Sequence, residues 1–392
     1  MTRSDKKQMN RKPATKKRGR HSVGGIFITL AAVLILAAAV VVCGFFLLRY
    51  RKYGEIDVRA SIELAGKADN LSYHVYGDGF LQCSGKGLTH FDKSGVLWEE
   101  NFEMSHPLID VCDGYAAVAD IKQSDVYIYD NSGLVKRISS AHDILDVEIA
   151  PTGIFALITN DGDCNYIELK SVSDGDLFNV KSIFSSSGYL TDIALSPDGM
   201  RLAAAFIYVS QGNLESRVLF YDFNANDTDS MLVAGFNQYT DTLLTMVEYM
   251  GNDVICAVGD NAVSFYNFKA EPELICEYLD LEWEIQSLDI NDKHILFVVK
   301  DDTGEHGYKI KAFNTSGKLV ADVGFDFAYS KAVLAGRNAL LYSGNDFQLL
   351  SFAGVKRFSH STDSRIAGIL AFDGENNLLI ATMDVADIIK LK

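Results

Sequence analysis

The chain is poor in the residues that catalytic and disulfide-stapled scaffolds lean on. Its 392 residues include two Trp, five Pro and six Cys. Five of the Cys (Cys83, Cys112, Cys164, Cys256 and Cys276) follow the one long apolar run, and an odd number cannot all pair internally. Most lie in apolar strand patterns, where a free thiol behaves as a small hydrophobe. A bridge between Cys256 and Cys276 stays open, because both fall in one repeat. The eight His are scattered, none at ligand spacing with another His or Cys. No glycine-rich phosphate loop opens a helix, and neither Gly-x-Ser-x-Gly nor His-Glu-x-x-His occurs. The acid pairs Asp161/Asp163 and Asp301/Asp302 lack the closing Glu of a twelve-residue calcium loop and read as hairpin turns. No metal and no cofactor is expected.

Charge is present but segregated. Residues 1–22 hold nine Lys/Arg and one acid, Asp5, a net of +8. The other 370 residues carry 27 Lys/Arg against 51 Asp/Glu, a net of −24. A body of that sign repels phosphates, so nucleic acid is not an expected partner.

Between these parts, residues 23–48 contain no charged side chain. A helix of that length is about 39 Å long at about 1.5 Å per residue, enough for a hydrocarbon core of about 30 Å. The run is apolar all round, unlike a core helix. It is also longer than the roughly 7–15 apolar residues of a signal peptide. An uncleaved transmembrane helix that contacts membrane lipid is the expectation. With nine basic residues before the run and Arg49, Arg51, Lys52 and Arg59 mixed with Glu55 and Asp57 after it, the N-terminus stays cytoplasmic and the rest crosses. The expected organisation is a cytoplasmic tail (1–22), a span (23–48), a linker (49–54) and an extracytoplasmic body (55–392). Localisation is the cell membrane, single-pass.

The body repeats. A strand, a tight turn and a second strand recur eight times, as in 109–120 (IDVCDGYAAVAD), 145–159 (LDVEIAPTGIFALIT) and 191–206 (TDIALSPDGMRLAAAF). A third strand follows each hairpin and a fourth usually follows that. From Phe91 to Leu391 the mean period is about 43 residues, the length of a four-stranded propeller blade. The fold class is therefore all-β, a β-propeller of eight four-stranded blades (seven as the alternative, because blade 7 is short), preceded by the transmembrane helix. The last unit stops after its third strand. The isolated segment 55–64 is expected to supply the fourth and close the ring, leaving no long unpaired edge.

Ser196-Pro197-Asp198-Gly199 before an apolar strand resembles the hairpins of WD-repeat-like propellers. Residues 313–320 (FNTSGKLV) resemble quinoprotein-like blades. Basic tail, single span and propeller together resemble an uncharacterised family of membrane-anchored bacterial propeller proteins, a domain of unknown function. That resemblance implies a fold and carries no catalytic residue to this chain.

Three acids invite a site. Asp146 and Asp192 each lie seven residues before a hairpin glycine, Gly153 and Gly199, near the start of an innermost strand, and Asp110 follows a similar pattern. First strands line a propeller's channel. The three acids either rim one mouth and attract a cation or basic ligand, or accept hydrogen bonds from turn amides; the second reading is preferred. The expected function is a non-catalytic binding or scaffolding module for an envelope protein or polymer. The alternatives are a glycan-active hydrolase or lyase using loop carboxylates, and a ligand sensor.

Overall fold

The computed structural model describes residues 30, 32–41, 43–44, 50–64, 71–224, 231–372 and 374–392. The chain divides into two compact units, Met1–Arg51 and Lys52–Lys392. In the first, the described residues 30, 32–41 and 43–44 are helical. Among the described residues no helix is long and apolar enough to cross a membrane. The basic tail and most of the rest of the expected span (23–29, 31, 42 and 45–48) lie outside the described residues.

The second unit is eight four-stranded antiparallel sheets. Seven are built from four consecutive strands: in chain order, blade 1 lies within 72–101, blade 2 within 107–139, blade 3 within 143–183, blade 4 within 189–240, blade 5 within 244–278, blade 6 within 285–325 and blade 7 within 331–361. The eighth takes Gly368–Ala371, Asn377–Ala381 and Val385–Leu391 from the C-terminus and Ile56–Glu63 from the start of the unit. The closing strand runs antiparallel to the last one, with Ile56 opposite Leu391 and Glu63 opposite Val385. Closure begins before the strand itself. The Tyr53 N–H donates to the Arg357 carbonyl at 2.8 Å and the Gly54 N–H to the Lys392 carbonyl at 2.7 Å. Part of the expected linker is therefore fixed in the ring. Ile62 and Leu64 pack with Tyr73 and Phe80 of the first blade and Ile388 of the last, joining the two chain ends by burial as well as by hydrogen bonds. Blade 7 is complete, its fourth strand being Lys356–Ser361.

Turn chemistry explains why the units repeat. Between third and fourth strands an Asp or Asn accepts the amide two residues on: Asp92 from Ser94 (2.7 Å), Asp130 from Ser132 (2.7 Å) and Asn314 from Ser316 (3.1 Å). A register shift between these two strands follows in each of blades 1–7, the local twist of a β-bulge. The turn must also clear its neighbour. Gly317 has φ +68°, and a Cβ there would stand 2.1 Å from the Cys276 sulfur of the preceding blade.

Blade 4 grips blade 5 in the same way. Arg201, which follows the Ser196–Gly199 turn, reaches Asp253 at 3.2 Å and the Phe268 carbonyl. The apolar core is divided among the gaps between blades. One cluster joins Val218 and Phe220 of blade 4 to Val247, Ile255 and Tyr266 of blade 5, and similar clusters occupy the other gaps. Cys256 and Cys276 are free. Phe265 stands between them, opposite Cys256 on one side and Cys276 on the other. Two strand spacings of about 4.8 Å exceed the reach of a disulfide.

Candidate functional site

The first strand of each sheet is its inner edge, and the first strands of successive blades touch around most of the ring. Successive side chains of a strand point to opposite faces, so one set on each first strand turns toward the axis. In blades 2–6 that set includes Asp110, Asp146, Glu148, Asp192, Glu248 and Asp289, all half-buried. Across the channel, blades 7, 8 and 1 present Val333, Leu370 and His74.

Three of the acids act as ties. An Asp110 oxygen accepts the Ile149 N–H of blade 3 at 2.7 Å, Asp192 accepts the Val247 N–H of blade 5 at 2.7 Å, and Asp289 accepts the Leu334 N–H of blade 7 at 2.6 Å. Each bond runs from one blade to the first strand of the next. Asp110 also accepts its own neighbour Val111 at 2.8 Å, as Asp146 does Val147 at 2.9 Å. Thr191 reinforces the blade 4–5 joint by donating to the Leu244 carbonyl at 3.1 Å.

Crowding six carboxyls inside a protein ring disfavours their charged form. Burial pushes Asp110 up to about 6, against the pull of its two amides and with a further push from Asp146. Burial raises Glu248 to about 8, helped by Asp110 and Asp146. Glu148 and Asp192 lie well above the carboxylate range, first through burial. For Glu148 the charges of Asp110, Glu248, Asp146 and Asp192 add to it, and for Asp192 those of Asp146 and Glu248. Asp146 and Asp289 are raised by burial too. Side-chain hydrogen bonding with Asp192 limits the rise at Asp146. The group is thus a set of neighbouring acids sharing protons, whose charge grows as pH rises through neutrality.

The structure brings Asp110, Asp146 and Asp192 together on one wall, but at mid-strand. Asp146 and Asp192 are each the fourth of seven residues, in Asp143–Ile149 and Tyr189–Leu195. The amides that Asp110 and Asp192 accept belong to strands, the next blade's and, for Val111, Asp110's own, and not to turns. Glu148, Glu248 and Asp289 escape a count of seven back from glycine: Gly153 lies five residues after Glu148, Gly251 three after Glu248, and the hairpin after Asp289 contains no glycine. A charged residue two positions after Asp146, on the same strand face, is the signal that finds Glu148. Among the described residues no group of three or more His, Cys, Asp or Glu is arranged to hold a metal ion.

A closed ring entered by its own outer strand and matched along residues 49–391 decides the kinship. The chain belongs to the family of unknown function DUF5711. No curated protein matches. Among solved structures, this DUF5711 member is similar to Sqt1 of Saccharomyces cerevisiae at 10% identity and TM-score 0.54, over 87% of this chain and 99% of that one. Sqt1 of Chaetomium thermophilum gives 12% identity and 0.55 over 86% and 98%. A eukaryotic initiation factor gives 12% and 0.53 over 85% and 84%. At these identities the likeness is one of fold, an eight-bladed propeller among WD40-like neighbours.

Proposed function

We propose that this DUF5711 propeller is a membrane-anchored, extracytoplasmic binding platform of a bacterial envelope, which holds a protein or envelope polymer without transforming it. The observation that carries the platform reading is the use made of the inner carboxylates. Asp110, Asp192 and Asp289 are acceptors for the next blade's main chain, so three of the six inner acids serve to hold the ring. A glycosidase-type pair needs one acid and one base free to face a substrate. A closed propeller also offers two broad faces and a rim on a rigid frame, which suits recognition.

The anchor rests on sequence: an uncharged run of 26 residues preceded by nine basic side chains. Protease added to intact cells should digest the ring and spare the tail; a protected ring overturns the topology. Photo-crosslinking in living cells, with the crosslinker placed at exposed turns, should capture a discrete partner. Turnover of an envelope polymer by the purified chain, abolished by Asp192→Asn, would overturn the non-catalytic reading.

A further inference from the structure

On the face that carries the inner hairpins, blades 6, 7 and 8 with Val75 of blade 1 line an open cavity of about 540 Å³, within the range of about 300–1,000 Å³ that suits small ligands. One side is apolar, formed by Val75, Val333, Leu370 and Phe372. The other holds His294 and Arg337.

His294 is 9% exposed, and its Nδ1 meets no hydrogen-bond partner. The ring stands edge-on to Phe352, centroids 5.3 Å apart, so its position is set by packing. Burial and the neighbouring Arg337 charge both hold the imidazole toward its neutral form. The acids at the rim are already matched, Glu375 to Arg357 at 2.6 Å and Asp292 to Lys293 at 3.5 Å. Asp289 is occupied by the Leu334 amide. Among the described residues Arg337 makes no ion pair. An exposed guanidinium with no ion pair among the described residues and an under-used imidazole therefore lie together in the cavity lining, inside a body whose net charge is strongly negative. The planar donor fork of a guanidinium is matched by a carboxylate.

We propose that this cavity binds a small organic carboxylate, its apolar body lying against Val75, Val333, Leu370 and Phe372 and its anionic group held by Arg337 and His294. The site uses other residues than the ties of blades 2–5, and it does not depend on the platform reading.

The test uses the full chain in lipid nanodiscs with 4-(4-fluorophenyl)butyrate as probe, followed by ligand-observed fluorine NMR against empty discs. The expected result is saturable binding at least tenfold tighter than that of the matching primary amine and of the matching alcohol. Arg337→Ala should weaken binding tenfold or more, with Arg337→Lys recovering part of it. His294→Phe, which keeps the contact with Phe352, should weaken binding without altering thermal unfolding. Equal or tighter binding of the amine, no saturable binding of the carboxylate, or unchanged affinity in Arg337→Ala each overturns the proposal. Capture of a crosslinked partner by an Arg337→Ala chain that no longer binds the probe separates this site from the platform; loss of partners with probe binding intact counts against the platform alone.

Discussion

The two sides of the channel are held together differently. From blade 2 to blade 6 the inner strands carry acids, and alternate joints are tied by a carboxyl accepting a main-chain amide: 2 to 3, 4 to 5 and 6 to 7. From blade 7 through blade 8 to blade 1 the inner strands carry Val333, Leu370 and His74. There the chain ends are joined by strand pairing and by burial of Ile62 and Leu64. Apolar burial is indifferent to pH, whereas carboxyls raised by burial are not. The ring thus has one side tied by titrating carboxyls and one held mainly by strand pairing and apolar burial.

The sharpest way to break that contrast is to open the apolar side. Removing residues 52–64 deletes seven strand-paired positions with the last strand and the apolar anchors Ile62 and Leu64. Each anchor contributes about 1.5–3 kcal/mol, and a bare sheet edge is left behind. Calorimetry should show a fall in Tm of more than about 10 °C. An unchanged Tm would mean that the last blade is stable with three strands.

On the acidic side, pH is the lever. An acid whose folded-state pKa lies above its unfolded value binds more protons when folded. It therefore favours folding fully below the unfolded pKa, and that contribution is lost as pH climbs through the folded pKa. For Asp110 the window runs from 3.8 to about 6, and for Glu248 from 4.5 to about 8. Urea unfolding should show stability falling from about pH 5 to pH 8 by on the order of 2–4 kcal/mol, at about 1.4 kcal/mol per pH unit for each proton involved. The double variant Glu148→Gln/Glu248→Gln should flatten the slope; a flat wild-type profile would show that the acids do not share protons as described.

How much of this could be read beforehand follows from which interactions are local. The blades were legible because turns are local: Asp92, Asp130 and Asn314 each cap a turn with an amide two residues away. The closing strand was legible by subtraction, since the last unit lacks a fourth strand. The ties were not, because Asp110 reaches Ile149, 39 residues on, and Asp192 reaches Val247, 55 residues on. Nothing near Asp192 in sequence distinguishes a strand amide of the next blade from a turn amide of its own. Glu148 and Glu248 were hidden for a related reason: their hairpins are equally long, with Glu148 opposite Ala156 and Glu248 opposite Cys256, but the glycine stands five residues after Glu148 and three after Glu248, so equal depth in the channel is not equal distance from a glycine.

A single tie can be separated from its charge. Asp192→Ala removes the acceptor of the Val247 amide and should cost about 1–3 kcal/mol, the usual penalty for a buried donor left unmatched. Asp192→Asn keeps an acceptor oxygen and loses the titrating proton. Its cost at pH 6 should be under half that of the Ala variant, and at pH 8.5 it should be at least as stable as wild type. Equal losses in the two variants at both pH values would show that the side-chain acceptor contributes nothing to the joint.

The smallest effect is expected where an inner acid ties nothing across a joint. Asp146 accepts its own neighbour Val147 and hydrogen-bonds with the Asp192 carboxyl but accepts no amide of another blade. Asp146→Asn preserves an acceptor for both and removes one charge from the group. Stability at pH 6 should move by less than in either Asp192 variant, because no joint between blades loses its acceptor. The informative readout is the titration of its neighbours. With the Asp146 charge gone, Glu248 should ionise at lower pH, because that charge is one cause of its rise. Carbon-13 NMR of the labelled carboxyls measures this directly, and an unmoved Glu248 midpoint would mean that burial and the Asp110 charge set it and that Glu248 does not sense Asp146 across the channel.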